Sequence, residues 1–179
     1  MYVKTLDEKQ LIEGCINNDR KAQKALYDKY SKRMLAVCLR YVKDMEDARD
    51  LLQEGFLKLF TNLHTFTGEG LFDGWVRKIF VNCALERLRH QDVLKNAVDI
   101  DETDYASTPD ESSISQLSAD EIMAYVRELP DGFRTVFNMF AIEGYSHKEI
   151  GQILNIAEST SRSQYVRARK LLQKMILQN

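Results

Sequence analysis

The 179 residues of the chain, 44% hydrophobic and 29% charged, suffice for one globular domain or two small ones. No segment approaches the roughly 20 uncharged apolar residues of a membrane span, and the first residues lack the apolar run of a secretory signal, so we expect a cytoplasmic protein without membrane insertion. The formal net charge of −2 speaks against a uniformly basic nucleic-acid-binding protein.

That net charge is unevenly distributed along the chain. Residues 1–90 carry 16 Lys and Arg against 13 Asp and Glu, residues 91–118 carry one against seven, and residues 119–179 carry eight against seven. An acidic middle segment therefore masks two mildly basic ends.

The cysteines and histidines suggest no catalytic or metal chemistry. Cys15, Cys38 and Cys83 lie far apart in apolar helical patterns, and the three histidines are equally dispersed. This spacing fits neither a disulfide framework nor a metal site, so we expect buried thiols. A phosphate-binding loop and a nucleophile elbow are also missing, so nothing in these motifs indicates an enzyme or a cofactor.

The first half of the chain predicts four amphipathic helices that close one small core. The first lies around Leu11, the second runs from about 21 to 42, the third from about 46 to 63, and the fourth begins at Phe72 after a glycine-rich break. On the third helix, a polar side predicts either a solvated face or a docking face. On the fourth, Lys78, Asn82 and Arg89 fall within about 40° of each other, beside Trp75.

Cations, an amide and aromatic rings are what unpaired bases require, because charge binds phosphate, amides bind base edges and rings stack. Phe66, Phe72 and Trp75 supply the rings near Lys78 and Asn82. The alternative, that Phe72 and Trp75 are ordinary core residues, stays open.

A linker separates this block from a second one. Residues 99–113 are acidic, rich in Ser and Thr and poor in large apolar residues, so they cannot offset the entropy of ordering. Beyond them, a capping box at Ser146–Glu149 opens a short helix, and a tight turn at Asn155 leads into a longer basic helix. This order predicts a helix-turn-helix. The fold class is all-α, with two small helical domains, 1–92 and 117–179, joined by a flexible acidic linker at 93–116.

The last helix combines two faces. At about 100° per residue, one face gathers the positions expected to be buried, which are Ser161, Tyr165, Ala168, Leu172 and Met175. The opposite face gathers Arg162, Ser163, Val166, Arg167, Arg169 and Lys170. A basic face is usually only solvated, but this one follows a helix-turn-helix entry, which favours DNA recognition. Residues 159–174 hold five cations and no acid, the fifth cation being Lys174. Since five cations bind duplex weakly, a second DNA-reading site or a large partner must add affinity.

Taken together, these segments resemble sigma factors of the extracytoplasmic-function (ECF) group of the sigma-70 family, which retain only the second and fourth conserved regions joined by a linker. The matching segments read DARDLLQEGFLKLF at 47–60, FTGEGLFDGWVRKIFVN at 66–82, Leu-Pro at 129–130, and GYSHKEIG at 144–151 continuing to Arg169. The last two segments belong to one match, and the three matches, in the right order and spacing, cover nearly the whole chain.

The resemblance implies a bacterial protein that binds core RNA polymerase and directs promoter-specific initiation. The implied contacts are the clamp coiled coil of the largest subunit, the flap for the C-terminal domain, and promoter DNA; whether an anti-sigma factor also binds stays open. The residues implied to contact polymerase are Asp47, Asp50, Gln53, Glu54 and Lys58. Those implied to handle the unpaired minus-ten strand are Phe66, Trp75, Arg77, Lys78 and Asn82. Those implied to read the minus-thirty-five duplex are Thr160, Arg162, Ser163, Val166, Arg167 and Arg169.

Three positions depart from the family pattern. Ala157 stands where a capping serine is common, Ser161 where an apolar residue usually packs, and Gln164 where a basic residue is frequent. Two other functions compete with the sigma-factor hypothesis. One is a stand-alone helix-turn-helix regulator with an N-terminal sensing or dimerisation domain, and the other is an enzyme built on the N-terminal bundle.

Overall fold

A computed structural model describes residues 7–90 and 118–178, so the predicted linker lies outside the described residues. The chain divides into two compact units, Met1–Ala84 and Leu85–Asn179, and the fourth helix crosses the division. Throughout the described ranges the regular structure is helical, without a strand, which confirms the all-α fold class.

Four helices build the N-terminal part, in the predicted order. They are α1 (Glu8–Ile16), α2 (Arg20–Cys38), α3 (Met45–Asn62) and α4 (Phe72–His90), with a short 3-10 turn at Leu63–Thr65 after α3. Aspartates cap two of them. The Asp19 carboxylate accepts the backbone N–H of Lys21 at 2.8 Å, and the Asp44 carboxylate accepts that of Asp47 at 2.7 Å, which satisfies donors that a helix start leaves unpaired.

The core of this part forms because apolar side chains recur every three or four residues on each helix. Its fully buried members include Leu26, Tyr30, Ala48, Leu51, Leu59, Val76 and Phe80. A close approach of α4 to α3 depends on Gly55, since a Cβ at that position would lie 2.3 Å from the Phe80 ring. The same ring packs edge-on against Phe56, with centroids 5.2 Å apart.

The C-terminal part contains α5 (Ala119–Glu128), α6 (Asp131–Phe137), α7 (His147–Leu154) and α8 (Glu158–Leu177), and a π-helical turn at Asn138–Ile142 extends α6. Its core gathers Val126 of α5, Leu129 just after α5, Phe133 of α6, and Ala168 and Leu172 of α8. The predicted capping box at Ser146–Glu149 opens α7, and a second one at Ser118–Glu121 opens α5.

A buried arginine closes the end of α5. The Arg134 side chain, 1% exposed, donates to the carbonyls of Arg127 and Leu129 at 3.1 and 3.2 Å. It also binds the Asp131 carboxylate at 2.7 Å, and this ion pair compensates the charge that burial removes from water.

The three cysteines are buried and free, as the sequence predicts. Burial raises the pKa of Cys15 to about 11 and that of Cys38 to about 12, so these thiols stay protonated at neutral pH. In the ranges that the structure covers, the helices are too short or too polar to cross a bilayer.

Candidate nucleic-acid and polymerase interfaces

The predicted helix-turn-helix consists of α7, a tight turn and α8. Asn155 ends α7 in the left-handed conformation with a φ of 55°, which asparagine tolerates better than most residues. The turn passes close to α7 because Gly151 has no side chain. A Cβ at Gly151 would lie 2.8 Å from the carbonyl oxygen of Ile156. A glycine at this position therefore fixes the path by which the chain enters α8.

The two faces of α8 are arranged as helical geometry predicts. Ser161, Ala168 and Leu172 are buried, while Tyr165 and Met175 are half-buried. The residues predicted to read duplex lie together on the opposite face. Arg162, Ser163, Val166 and Arg169 are exposed, and Thr160 and Arg167 are partly so.

Arg162 does not stand alone on this face. Its guanidinium binds the carboxylate of Glu158, one turn earlier on α8, in an ion pair whose two side chains are 64% and 43% exposed. Such an exposed pair contributes little to stability. The pair bears on binding, because the Nη2 group that holds Glu158 is one of the donors that the predicted contact with a guanine edge or a phosphate would use.

A buried histidine ties α7 to α8. The Nδ1 atom of His147, the first residue of α7, lies 2.9 Å from the Ser161 hydroxyl. The imidazole stacks on Phe140 with ring centroids 4.2 Å apart and an interplanar angle of 6°. Loss of hydration and the nearby Arg162 charge lower the pKa of His147, against a smaller opposing effect of Glu158. The departure at Ser161 thus has a specific partner, which a single sequence does not indicate.

The polar stripe predicted on α4 is exposed. Lys78, Asn82 and Arg89 are all exposed, and Trp75 beside them is half-buried. Arg77, also proposed for the unpaired strand, lies about 100° away from Lys78 around the helix and is half-buried.

An aromatic cluster stands at the start of α4. The Phe66 ring lies 5.1 Å from Phe72 and 5.4 Å from Trp75, measured between centroids. Phe72 is 2% exposed and belongs to the core, whereas Phe66 and Trp75 remain partly accessible. The core interpretation therefore holds for Phe72, and two rings stay available at the surface.

The Asp73 carboxylate, next to Phe72 in the sequence, is hydrogen-bonded and ion-paired to residues of α2. The carboxylate accepts from the hydroxyl of Tyr30, and it pairs with Arg33 at 2.9 Å. These contacts, the Tyr30 hydrogen bond first, hold the pKa of Asp73 below its usual range. The negative charge of Asp73 is thus balanced by Arg33 and stabilised by the hydrogen bond from Tyr30, both on α2. These contacts join residues far apart in the sequence, and no local sequence pattern predicts them.

The polar side of α3 carries the residues predicted to contact polymerase. Asp50 and Gln53 are exposed, and Asp47, Glu54 and Lys58 are partly so. Glu54 and Lys58 form an ion pair of 2.9 Å. Leu57, 70% exposed, was not expected on this face. Helical spacing nevertheless places it there, about 40° from Gln53 on one side and about 20° from Asp50 on the other.

A shallow groove borders this face between α2 and α3. Its lining combines apolar, polar and cationic side chains, namely Tyr27, Ser31, Lys32, Leu35, Arg49, Leu52 and Gln53. Within the described residues, no three His, Cys, Asp or Glu side chains approach each other as a metal site would require.

Comparisons with known proteins agree with this arrangement. The family models described as "Sigma-70 region 2" and "Sigma-70, region 4" match residues 26–93 and 119–172, respectively. The chain is 30% identical to the RNA polymerase sigma-H factor of Pseudomonas aeruginosa, over 94% of this chain and 93% of that protein. It is 28% identical to the ECF RNA polymerase sigma-E factor of Haemophilus influenzae, over 96% of both.

The fold is shared with a solved sigma factor. RpoE of Bartonella quintana, crystallised with the anti-sigma factor NepR, superposes with a TM-score of 0.50 at 18% identity, over 87% of this chain and 96% of that one. The stand-alone regulator is not favoured by these matches. Since both family regions and full-length relatives match, the chain belongs to the ECF group of the sigma-70 family, and it is a non-enzymatic initiation factor that binds core RNA polymerase and directs it to promoter DNA.

Proposed function

We propose a division of labour along the chain. Residues 1–92 dock onto core polymerase and capture the unpaired minus-ten strand, residues 93–116 act as a tether, and residues 117–179 read the minus-thirty-five duplex. Because polymerase and promoter DNA are its partners, the protein acts in the cytoplasm. We also infer an anti-sigma partner, since the similar RpoE of Bartonella quintana was solved with one.

The observation that carries this proposal is the exposed stripe on α4. Lys78 and Asn82 stand in the open beside the half-buried rings of Phe66 and Trp75. A protein that only reads duplex has no use for a cation and an amide beside aromatic rings. A protein that captures unpaired bases does need them, because each stacked base contributes about 1–3 kcal/mol of binding free energy and its phosphate needs a cation.

Docking is assigned to α3 by the chemistry of its exposed side. Asp47, Asp50 and Glu54 supply negative charge, Lys58 a positive one, and Leu57 an exposed apolar centre. Interfaces of this kind use charge complementarity for orientation and an apolar centre for affinity. The proposed partner of this face is the clamp coiled coil of the largest polymerase subunit. The proposed partner of the C-terminal domain is the polymerase flap.

Reading of the upstream duplex is assigned to the first half of α8. Arg162 and Ser163 are exposed there, with Val166 and Arg169 following at helical spacing and Thr160 and Arg167 at the edges. Arginine forks bind guanine edges and phosphates, hydroxyls bind either, and an exposed valine suits a thymine methyl group.

Reconstitution with core polymerase separates docking from strand capture. The variant Asp47→Arg, Glu54→Arg reverses the charge of the α3 face, and we expect it to lose co-purification with core enzyme while circular dichroism shows unchanged helicity. The variant Lys78→Ala, Asn82→Ala should retain co-purification but form far fewer open complexes on a fully paired promoter.

The second variant has its own diagnostic template. Mismatches that pre-melt the minus-ten segment should restore part of its activity, because the cost of unpairing is then already met. Permanganate reactivity of unpaired thymines, with transcription from both templates, measures this. Assembly of the charge-reversed variant at normal affinity would move the docking face elsewhere, and normal melting by the alanine variant would disprove strand capture by α4.

A further inference from the structure

Leu71 is the most exposed large hydrophobic side chain among the described residues, at 83%. It is nevertheless held in place, because its carbonyl oxygen accepts the backbone N–H groups of Gly74 and Trp75 at 3.0 and 3.2 Å. Leu71 is therefore the residue from which α4 starts, and its side chain projects from an ordered helix end.

Its position on the helix is as informative as its exposure. At about 100° per residue, Leu71 falls within about 20° of both Lys78 and Asn82 and about 40° from Trp75. The leucine thus stands at the leading end of the stripe proposed to bind the unpaired strand. From Leu71 to Asn82 the stripe extends about 16 Å along α4, comparable to about five stacked base steps.

The surroundings favour a base stack as the occupant over a protein surface. Phe66 and Trp75 present the neighbouring rings, and the acid next to them, Asp73, is compensated by Tyr30 and Arg33. Lys78 supplies positive charge on the same stripe. Proteins that open or kink duplex insert apolar side chains such as leucine between base steps, where the wedge replaces lost stacking.

We propose that Leu71 is a wedge that enters the base stack at the edge of the melted segment and lowers the cost of unpairing. This inference rests on the proposed capture of the unpaired strand by α4. It adds a separate step, since the wedge acts on paired DNA while Lys78 and Asn82 act on bases already released.

Substitution of Leu71 carries little risk to folding. The side chain is in solvent, and serine is a favoured residue at a helix start, so Leu71→Ser should not weaken the start of α4. Leu71→Phe preserves an apolar wedge. Leu177→Ser, which alters another exposed leucine at the far end of α8, is the matched control for the loss of exposed apolar surface.

The test measures open-complex formation by holoenzyme on a fully paired promoter and on one pre-melted by mismatches. We expect Leu71→Ser to slow opening of the paired promoter by at least about fivefold, as the loss of one stacking contact implies. On the pre-melted promoter it should match the wild type. Leu71→Phe and Leu177→Ser should behave as the wild type on both templates.

The outcomes distinguish this inference from the function it rests on. Normal opening by Leu71→Ser, an equal loss on both templates, or weaker co-purification with core polymerase would each overturn the wedge. The variant Lys78→Ala, Asn82→Ala should stay partly impaired on the pre-melted promoter. Its full recovery or normal opening would count against strand capture, whatever Leu71 does.

Discussion

Arg162 is a side chain on α8 whose proposed role depends on a neighbouring residue. Its ion pair with Glu158 engages one arm of the fork that the proposed base reading needs, and it places a carboxylate on the face proposed to bind DNA. We expect Arg162→Ala to weaken the binding free energy of holoenzyme at the upstream element by about 1–3 kcal/mol and to relax base preference at one position. Glu158→Gln should instead strengthen binding to all upstream sequences, because it removes a negative charge and releases Arg162.

Selection from a promoter library with a randomised upstream element, performed with each holoenzyme, measures both effects. Unchanged preference at every position in Arg162→Ala would exclude base reading by this arginine. Ser163→Ala on the same face serves as the comparison, since it removes a hydroxyl without changing charge.

His147 makes the stability of the helix-turn-helix depend on pH. Its pKa in the folded chain lies below the usual value of 6.5, mainly because burial disfavours the imidazolium ion. An unfolded chain therefore takes up the proton first, and the free energy of unfolding falls as the pH drops below 6.5. The contribution cannot exceed about 1.4 kcal/mol per pH unit for one group.

Hydrogen exchange of α7 and α8 amides between about pH 6.5 and 5.5, corrected for intrinsic rates, reports this slope. His147→Phe keeps the stack on Phe140 but loses the bond to Ser161. This variant should reduce the pH slope of the α7 and α8 amides. The exposed His64 provides the control, because His64→Gln should leave the slope of the α7 and α8 amides unchanged. An undiminished slope in His147→Phe would assign it to other groups.

At the scale of elements, α8 begins without a side-chain cap. Ala157 occupies the cap position with φ −65° and ψ 148°, a conformation that suits serine, yet its side chain accepts no hydrogen bond. Ala157→Ser should raise the stability of the C-terminal part by about 0.5–2 kcal/mol. Ala157→Gly should stabilise it nearly as much, because glycine also exceeds alanine at this position.

Thermal unfolding followed by circular dichroism, with exchange of α8 amides, measures the gain. If the first turn of α8 becomes better ordered, DNA affinity should not fall, since Arg162 and Ser163 keep their places. A serine variant no more stable than the wild type would show that water already satisfies the backbone N–H groups in the first turn of α8.

Local patterns predicted the elements well because their causes are local. The apolar spacing placed α2, α3 and α4, the Ser146–Glu149 box placed the start of α7, and the angle between residues separated the two faces of α8. Leu71 was also within reach, since the same arithmetic puts it on the Lys78 stripe.

Contacts between elements were beyond such patterns. The bonds from Tyr30 and Arg33 to Asp73 join residues about 40 positions apart, and His147 meets Ser161 only after the turn at Asn155 is made. Gln164 is the clearest limit. A glutamine on a basic helix predicts solvent exposure, yet it is 2% exposed and both of its amide atoms are without a partner in the described structure.

At the scale of the whole molecule, the uneven charge distribution has a functional consequence. Two weakly basic parts, each proposed to bind promoter DNA, are joined by residues 91–118, which carry seven acids and one lysine. In the proposed division of labour, polymerase holds both parts near one promoter, so their modest affinities combine through effective concentration. Without polymerase, the acidic segment should repel the phosphate backbone and keep the free chain off DNA.

Neutralising this segment tests that consequence. Replacement of six of its seven acids by the matching amides shifts the formal net charge from −2 to +4, and the positions are Asp99, Asp101, Glu102, Asp104, Asp110 and Glu111. We expect the free chain to bind non-promoter duplex about three- to tenfold more tightly at 50 mM salt. The difference should shrink towards 0.5 M salt, because screening shortens the reach of charge from roughly 14 Å to about 4 Å.

A second chain with the same linker residues in shuffled order separates charge from sequence. It should bind like the wild type at every salt concentration, as measured by fluorescence anisotropy of a labelled duplex. In holoenzyme, the neutralised linker should lower the ratio of promoter to non-promoter binding, because only the non-specific contribution gains. Equal affinity of neutralised and wild-type chains at low salt, or tight binding by the shuffled chain, would mean that the acidic segment does not act through its charge.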